Sequence, residues 1–372
     1  MKIEIISSEK DFTALQQDWN TLQKGSADKS IFLTWDWMHT WWDAYKAKLN
    51  DPRLHIVTFY RQDKLAAILP LFSHKKKESF GSLRCLQFLG TEFESSDYLD
   101  IIGAADVDNA ELVQALKTQT FQQLLASADM LIVSNAFAEA RIASLFATIL
   151  ANRPAESRRT SVCPYLPLPE SEEILFKQLS KNMKSTLRRT RNKINKDPNF
   201  SIGLVERSGD IPEAIEGLFR LHAMRFDDKN QATKFVAGQR GDFHKRIAAR
   251  WLEQERLRFY TVTHRQKAIG FLYCYYYNHK ILYMQAGFHP EYGKYGLGNQ
   301  LMLRAMNDGM NSGADEFDFM RGNESYKYKW TSLFRELYTT RYALNGRAAR
   351  HIRLQAALGK VKSLVKKLIR KR

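Results

Sequence analysis

Cysteine is scarce in this sequence: three residues, Cys85, Cys163 and Cys274, stand far apart in a chain of 372. Such spacing builds neither a disulfide framework nor a zinc pattern, so a reducing, cytoplasmic setting fits and no metal is expected. Long apolar runs are missing too. The opening residues, Met1-Lys2-Ile3-Glu4-Ile5-Ile6, lack an apolar signal core, and no stretch reaches the roughly 18 apolar residues of a membrane span. Neither the dinucleotide order of glycines nor a P-loop Gly-Lys-Ser/Thr occurs, which disfavours those nucleotide folds. No local Ser-His-Asp or Cys-His arrangement stands out. His222 and His244 fall on expected helices and read as structural.

Acidic residues are absent from two segments, and there the charge collects. Residues 181–196 hold seven bases and residues 347–372 hold ten, which together account for the whole net charge of +17. An anionic partner, if there is one, meets these segments. For the first segment RNA, an acidic glycan and plain solvation all remain open. For the second, Leu354, Leu358, Val361, Val365 and Leu368 fall on one helical stripe with bases around it. That pattern fits a peripheral membrane contact through 350–372, or a solvated terminus.

The length predicts two domains. Arg53 to Ile68 reads as strand, polar turn, strand, and so does Arg256 to Phe271; each follows a Trp-bearing helical stretch, Trp35 to Tyr45 and Phe243 to Glu255. Ala128 to Asn135 and Ala314 to Arg321 are later strands in equivalent places. The shared order predicts duplication. Pro154, Pro164, Pro167 and Pro169 mark a boundary between the halves. The expected division is 1–169, 170–346 and a basic tail at 347–372. A single helix is expected from Ser171 to Lys196, capped by Ser171, burying Leu175, Leu179, Met183 and Leu187 and ended by Asp197-Pro198.

The chemistry concentrates in 281–334. A strand from Ile281 to Phe288 is followed by Gly293-Lys294-Tyr295-Gly296-Leu297-Gly298 and an amphipathic helix. A glycine turn feeding a helix offers unpaired N–H groups and the positive end of the helix dipole, which suits a pyrophosphate. The same turn could merely join strand to helix. Next comes Phe317-Asp318-Phe319-Met320-Arg321-Gly322-Asn323-Glu324-Ser325-Tyr326-Lys327-Tyr328-Lys329-Trp330, polar residues just past an apolar strand. Asp318 alternates with two phenylalanines and so projects into a cleft, or else forms a cap or a salt bridge to Arg321 or Arg341. Tyr326 and Trp330, four apart, could equally pack on one helix face.

These residues, with Gly287-Phe288 before them, resemble the GNAT superfamily branch that holds the CelD-like proteins of cellulose biosynthesis. They are more remotely similar to the Fem-type peptidoglycan aminoacyltransferases. Softer matches at Phe32 to Trp42, Asp97-Tyr98-Leu99-Asp100 and Cys163 to Leu166 extend the likeness over most of 30–345. The resemblance implies an α/β (α+β) protein of two tandem GNAT-like lobes, each a mixed, mostly antiparallel sheet flanked by helices, plus the basic C-terminal helix. The first lobe is degenerate, with Gly90 to Ser96 where a glycine turn would stand, and the second is catalytic. The implied activity is acyl transfer from acetyl-CoA or another acyl-CoA to an amine or hydroxyl of a cell-envelope or polysaccharide-related acceptor, a small molecule or a glycan.

By carry-over, the backbone N–H groups of Tyr295, Gly296, Leu297, Gly298 and Asn299 hold the CoA pyrophosphate, and the strand residues Met284, Gln285, Ala286 and Gly287 line the pantetheine. GNAT loops commonly open with Arg or Gln, and here Gly293 stands instead. For the chemistry, Tyr326 protonates the departing thiolate, Asp318 or Glu324 takes the acceptor's proton, and Lys327 neutralises charge. Arg321 and Trp330, with Asp97, Tyr98 and Asp100 of the first lobe, are the expected acceptor contacts. A Fem-type transferase using aminoacyl-tRNA and a non-catalytic accessory protein of polysaccharide biosynthesis are the competing readings. Nucleic acid is the less favoured partner. The expected place is the cytoplasm, with contact at the inner membrane face.

Overall fold

The structure, a computed structural model, describes residues 1–26, 30–94, 96–227 and 238–369, without the side chains of 225–227 and 360–369. The expected stripe residues Val361, Val365 and Leu368 therefore lie outside the described side chains. The chain forms two compact units, Met1–Thr160 with Glu336–Arg372, and Ser161–Arg335.

Both units repeat one plan. In the first, β1 (Lys2–Ile6), β2 (Arg53–Arg61), β3 (Lys64–Glu78) and β4 (Gly81–Phe88) form an antiparallel run. A two-residue strand β5 (Ile102–Gly103) pairs with β3, and β6 (Met130–Ala136) lies parallel to β4. β7 is Ala155–Pro167. In the second unit β8 (Phe200–Leu204), β9 (Leu257–His264), β10 (Lys267–Tyr277) and β11 (Lys280–Phe288) are again antiparallel, and β12 (Glu316–Asp318) lies parallel to β11. β12 then takes Tyr165 to Pro167 of β7 as its antiparallel partner. β13 (Phe334–Ala343) completes the first unit's sheet by pairing antiparallel with β6. The expected fold class, α/β with a mixed, mostly antiparallel set of strands flanked by helices in each of two units, is the one found, and β7 takes part in the strand pairing of both units.

Two local expectations are corrected. The stretch holding Pro164 and Pro167, expected to mark a boundary rather than an element, is a strand: both prolines sit in β7, and Pro164 O accepts from Phe319 N–H at 2.9 Å. The helix expected over 171–196 is two helices, Glu172–Gln178 and Lys181–Asn195. Ser171 caps the first as expected, but Ser180 interrupts the run by turning extended and accepting from Met183 N–H, a second N-cap. Leu175, Leu179, Met183 and Leu187 are nonetheless all buried, in the core that also holds Leu301 and Met306 of the helix Leu297–Asn311.

The C-terminal helix, Gly346–Ile369, turns a different face inward from the leucine stripe. Ala348, Ala349 and Ile352 pack with Leu83, Cys85, Met130, Ile132 and Ala343 of the first unit, while Leu354 and Leu358 are 48% and 46% exposed.

Candidate active site

The second unit's site grows from the way β11 parts from β12. Their parallel pairing spans only Lys280 to Leu282 against Glu316 to Asp318, after which β11 runs on to Phe288 and β12 stops. In the ladder with β10, Gln285 faces Tyr273 and Tyr283 faces Cys274, so Met284 is an unpaired bulge. Bulges of this kind re-aim neighbouring side chains. Past them lies a cavity of about 410 Å³ lined by Leu272, Tyr283, Phe288, Met302 and Tyr326, with the glycine turn as one wall.

That turn is built for close approach. Pro290–Tyr295 forms a short 3-10 helix, and Gly296 takes a left-handed φ of 58° as it enters the helix Leu297–Asn311. A Cβ at Gly296 would meet Thr190 Cγ2 at 3.1 Å, and one at Gly298 would meet Phe288 at 3.1 Å. No side chain caps this helix, and the N–H groups of Leu297 and Gly298 have no acceptor among the described residues, whereas Asn299 and Gln300 both donate to Gly296 O. Two free amides at the dipole's positive end fit a diphosphate, and they open on the cavity. From below, Gln300 Nε2 donates to Leu187 O at 2.9 Å and Thr190 Oγ1 at 2.7 Å, pinning the basic helix to this end.

Of the expected cofactor residues, Gly296, Leu297, Gly298 and Asn299 line the cavity. Tyr295 is not in the lining, and its ring packs on Phe200 at 4.8 Å between ring centres. Ala286 is buried, its O contacting His222 Nδ1 at 3.2 Å. Gly287 lets a helix pass: a Cβ there would meet Leu218 O at 2.7 Å and His222 N at 2.8 Å. Met284 and Gln285 are half-buried on the bulge.

Among the four expected catalytic residues, Tyr326 lies on the cavity wall, its hydroxyl 3.3 Å from that of Tyr283. The other three do not line this cavity. Asp318 is 1% exposed; its Oδ1 accepts from Met320 N–H at 2.7 Å and its Oδ2 stands 3.7 Å from Arg335. A salt-bridge partner of Asp318 is thus Arg335, which the sequence did not suggest; Arg341, which it did, donates to Gln355 at 3.1 Å. Lys327, 2% exposed, donates to Met320 O at 3.1 Å, Arg321 O at 2.8 Å and Glu324 at 2.9 Å. These bonds hold a turn in which Met320 has φ 54° and Gly322 φ 128°. Glu324 stays half-exposed. Trp330 is buried in the core, and Tyr326 and Trp330 flank a 3-10 turn rather than sharing a helix face.

In the first unit, Asp100 is a helix cap. Its carboxylate accepts from the amides of Ile101, Arg141 and Ile142 at 2.7, 2.9 and 2.7 Å. Tyr98 stacks on Phe137 at 4.9 Å, and the buried Asp97 offers its carbonyl to Ser30.

Sequence reasoning missed Tyr283, Tyr292 and His289 in the lining. It also missed a chain behind the wall: the Tyr292 hydroxyl contacts His264 Nδ1 at 2.8 Å, and His264 Nε2 contacts Asp197 at 3.0 Å. The members are 28 and 67 residues apart, so no local spacing announces them.

Residues 181–328 match the profile of the acetyltransferase (GNAT) domain, so the span containing the cavity carries the domain of an acyltransferase. The fold extends beyond that span. The chain is similar to the crystal structure of FemX (TM-score 0.63, 10% identity, 95% of this chain and 100% of that one). It is similar also to the C-terminal domain of a putative lysylphosphatidylglycerol synthetase from Agrobacterium fabrum (TM-score 0.53, 9% identity, 93% and 97%). At such identities the likeness is one of fold. No curated protein matches the sequence.

Proposed function

We propose that the second unit transfers an acyl group from an acyl-CoA, acetyl-CoA being the first candidate, to an amine or hydroxyl acceptor. One observation carries the reading: a cavity of about 410 Å³ joins two unpartnered helix-end amides, at Leu297 and Gly298, to the Tyr326 phenol. A diphosphate held at the amides leaves the apolar wall of Leu272, Phe288 and Met302 for the pantetheine. The donor supplies its acyl group as a thioester.

Tyr326 holds a proton at its hydroxyl, braced by Tyr283, where a thiolate departs. Glu324, the half-exposed carboxylate of the same turn, takes the proton released by the acceptor. Asp318 and Lys327 act through this turn, the one fixing Met320 and the other its carbonyls, and are positioning residues. Arg321 flanks the same turn and is the candidate contact for an acceptor's charge.

The acceptor we favour belongs to the cell envelope or its polysaccharides, following the CelD-like and Fem-type resemblance; the fold likeness to a lysylphosphatidylglycerol synthetase domain supports an envelope substrate. The place of action on this reading is the cytoplasm.

Calorimetric titration with acetyl-CoA, then thiol release with aminosugar, lipid-linked sugar and amino-acid acceptors, tests the proposal. Tyr326→Phe is expected to bind acetyl-CoA as the wild type does and to turn over about 100-fold more slowly. Unchanged turnover removes Tyr326 from the chemistry. No binding of CoA by the wild type sinks the donor assignment; activity with aminoacyl-tRNA would then favour the Fem-type alternative, and no activity with either donor an accessory role.

A further inference from the structure

The basic helix Lys181–Asn195 has two unlike sides. Thr190 faces the glycine turn, since a Cβ on Gly296 would touch it at 3.1 Å. At about 100° per residue, Arg191 and Lys184 fall to one side of Thr190, and Lys193, Arg189 and the following Lys196 fall to the other. On the first side the bases have partners: Arg191 pairs with Glu172 at 2.7 Å and lies over the Phe176 ring, and Lys184 donates to Lys177 O at 3.1 Å. On the second side Arg189, Lys193 and Lys196 are exposed, and none has a carboxylate within 4 Å among the described residues. Asp197, next in the chain, is taken by His264 and Asn199.

Arg189, Lys193 and Lys196 follow one another at spacings of four and three, so like charges stand as neighbours on a single stripe, an arrangement that destabilises a helix. The repulsion is relieved when an anion sits beside the stripe. The stripe flanks the glycine turn, and exposed Lys294 adds a fourth cation on the turn itself, its ammonium over the Tyr295 ring.

Resting on the donor reading above, we propose that Arg189 and Lys193, with Lys196 and Lys294 beside them, bind the phosphate carried by the ribose of the donor's nucleotide end. Coenzyme A has a diphosphate in mid-chain and a phosphate monoester on its ribose. With the diphosphate on the Leu297 and Gly298 amides and the thiol arm in the cavity, the nucleotide end lies outside the turn. The stripe of cations borders that space. A dianionic monoester meets guanidinium and ammonium donors there in charge-assisted bonds.

The test compares calorimetric binding of coenzyme A and 3′-dephospho-coenzyme A by the full chain. The variants are Arg189→Glu/Lys193→Glu and, on the far side of the helix, Lys181→Glu, with circular dichroism as a folding check. The expected result is that wild type and Lys181→Glu bind coenzyme A about 10-fold more tightly than the dephospho form, and that the double variant binds the two alike. Preference in the wild type should also shrink as salt rises. Equal binding of both ligands by the wild type overturns the inference and leaves the donor reading standing. So does a double variant that keeps the preference, or a Lys181→Glu variant that loses it, which would mark a diffuse field of the kind a polyanion such as RNA meets. Binding of neither ligand overturns both.

Discussion

Lys327 commits all three of its ammonium hydrogens, to Met320 O, Arg321 O and Glu324, while its neighbour Tyr326 reaches the cavity wall. The sequence places the two side by side in a polar run and does not tell them apart. A 3-10 turn rotates about 120° per residue, so one step in the chain separates a cavity residue from a buried brace. Lys327→Met keeps the packing but strands two carbonyls in a buried turn, at a cost of about 2 kcal/mol. We expect a lower urea midpoint and slower turnover together, with acetyl-CoA affinity retained; loss of turnover at unchanged stability would return Lys327 to the chemistry. In the first unit, burial pushes the Glu92 carboxyl up, but His74, Lys76 and Gln87 outweigh burial and hold it at about 2. A lowered carboxyl stabilises the fold above its unfolded value of 4.5, and that contribution is lost as pH falls from there toward 2. Glu92→Gln should therefore be less stable than wild type at pH 6, by on the order of 1–2 kcal/mol, and nearly equal to it close to pH 2. Urea melts across that range check this, and parallel pH profiles would refute it.

Elements were more legible than their joints. Leucines and Met183 four apart announced the buried face of 171–196, yet the break at Leu179-Ser180 was hidden, because a serine that caps and a serine that sits in a helix look alike until its neighbours fix the backbone. The glycine turn announced itself through Gly296 and Gly298. What steadies it did not: Asp197, His264 and Tyr292 come from the end of the basic helix, β9 and the 3-10 turn, and only the fold assembles them. The chain ties the turn's base to two flanking elements, so its effect belongs to donor binding. His264→Leu removes both contacts while filling a similar volume. The expected kinetic signature is a KM for acetyl-CoA raised about 10-fold with kcat within about 2-fold; a fall in kcat at constant KM would instead give His264 a part in proton transfer.

The duplication of the whole molecule was readable because strand hairpins, a Trp-bearing helical stretch and a later strand recur in one order. The pairings that complete each sheet were not, since β6 meets β13 about two hundred residues away and β12 takes Tyr165 to Pro167 of β7 from the opposite end of the second unit's sequence. Pairing at such separation leaves no local periodicity to read. The basic tail shows the same limit. Its leucine stripe was visible, but the face that matters to the first unit is the small one of Ala348, Ala349 and Ile352, which covers Leu83, Cys85, Met130 and Ile132. Deleting 346–372 would therefore uncover core, and we expect it to lower the first unit's stability by several kcal/mol. That loss makes truncation a poor probe of membrane contact. Leu354 and Leu358, half-exposed in a chain segment, 347–372, that holds ten bases and no acids, are the groups to change. An exposed leucine pair set among bases partitions to anionic bilayers through both terms, apolar area and lipid charge. Leu354→Asp/Leu358→Asp should keep the unfolding free energy, read from urea melts, within about 0.5 kcal/mol of wild type. It should also abolish co-flotation with vesicles containing anionic lipid, and a wild-type chain that fails to float with them would leave the leucine pair with no membrane role.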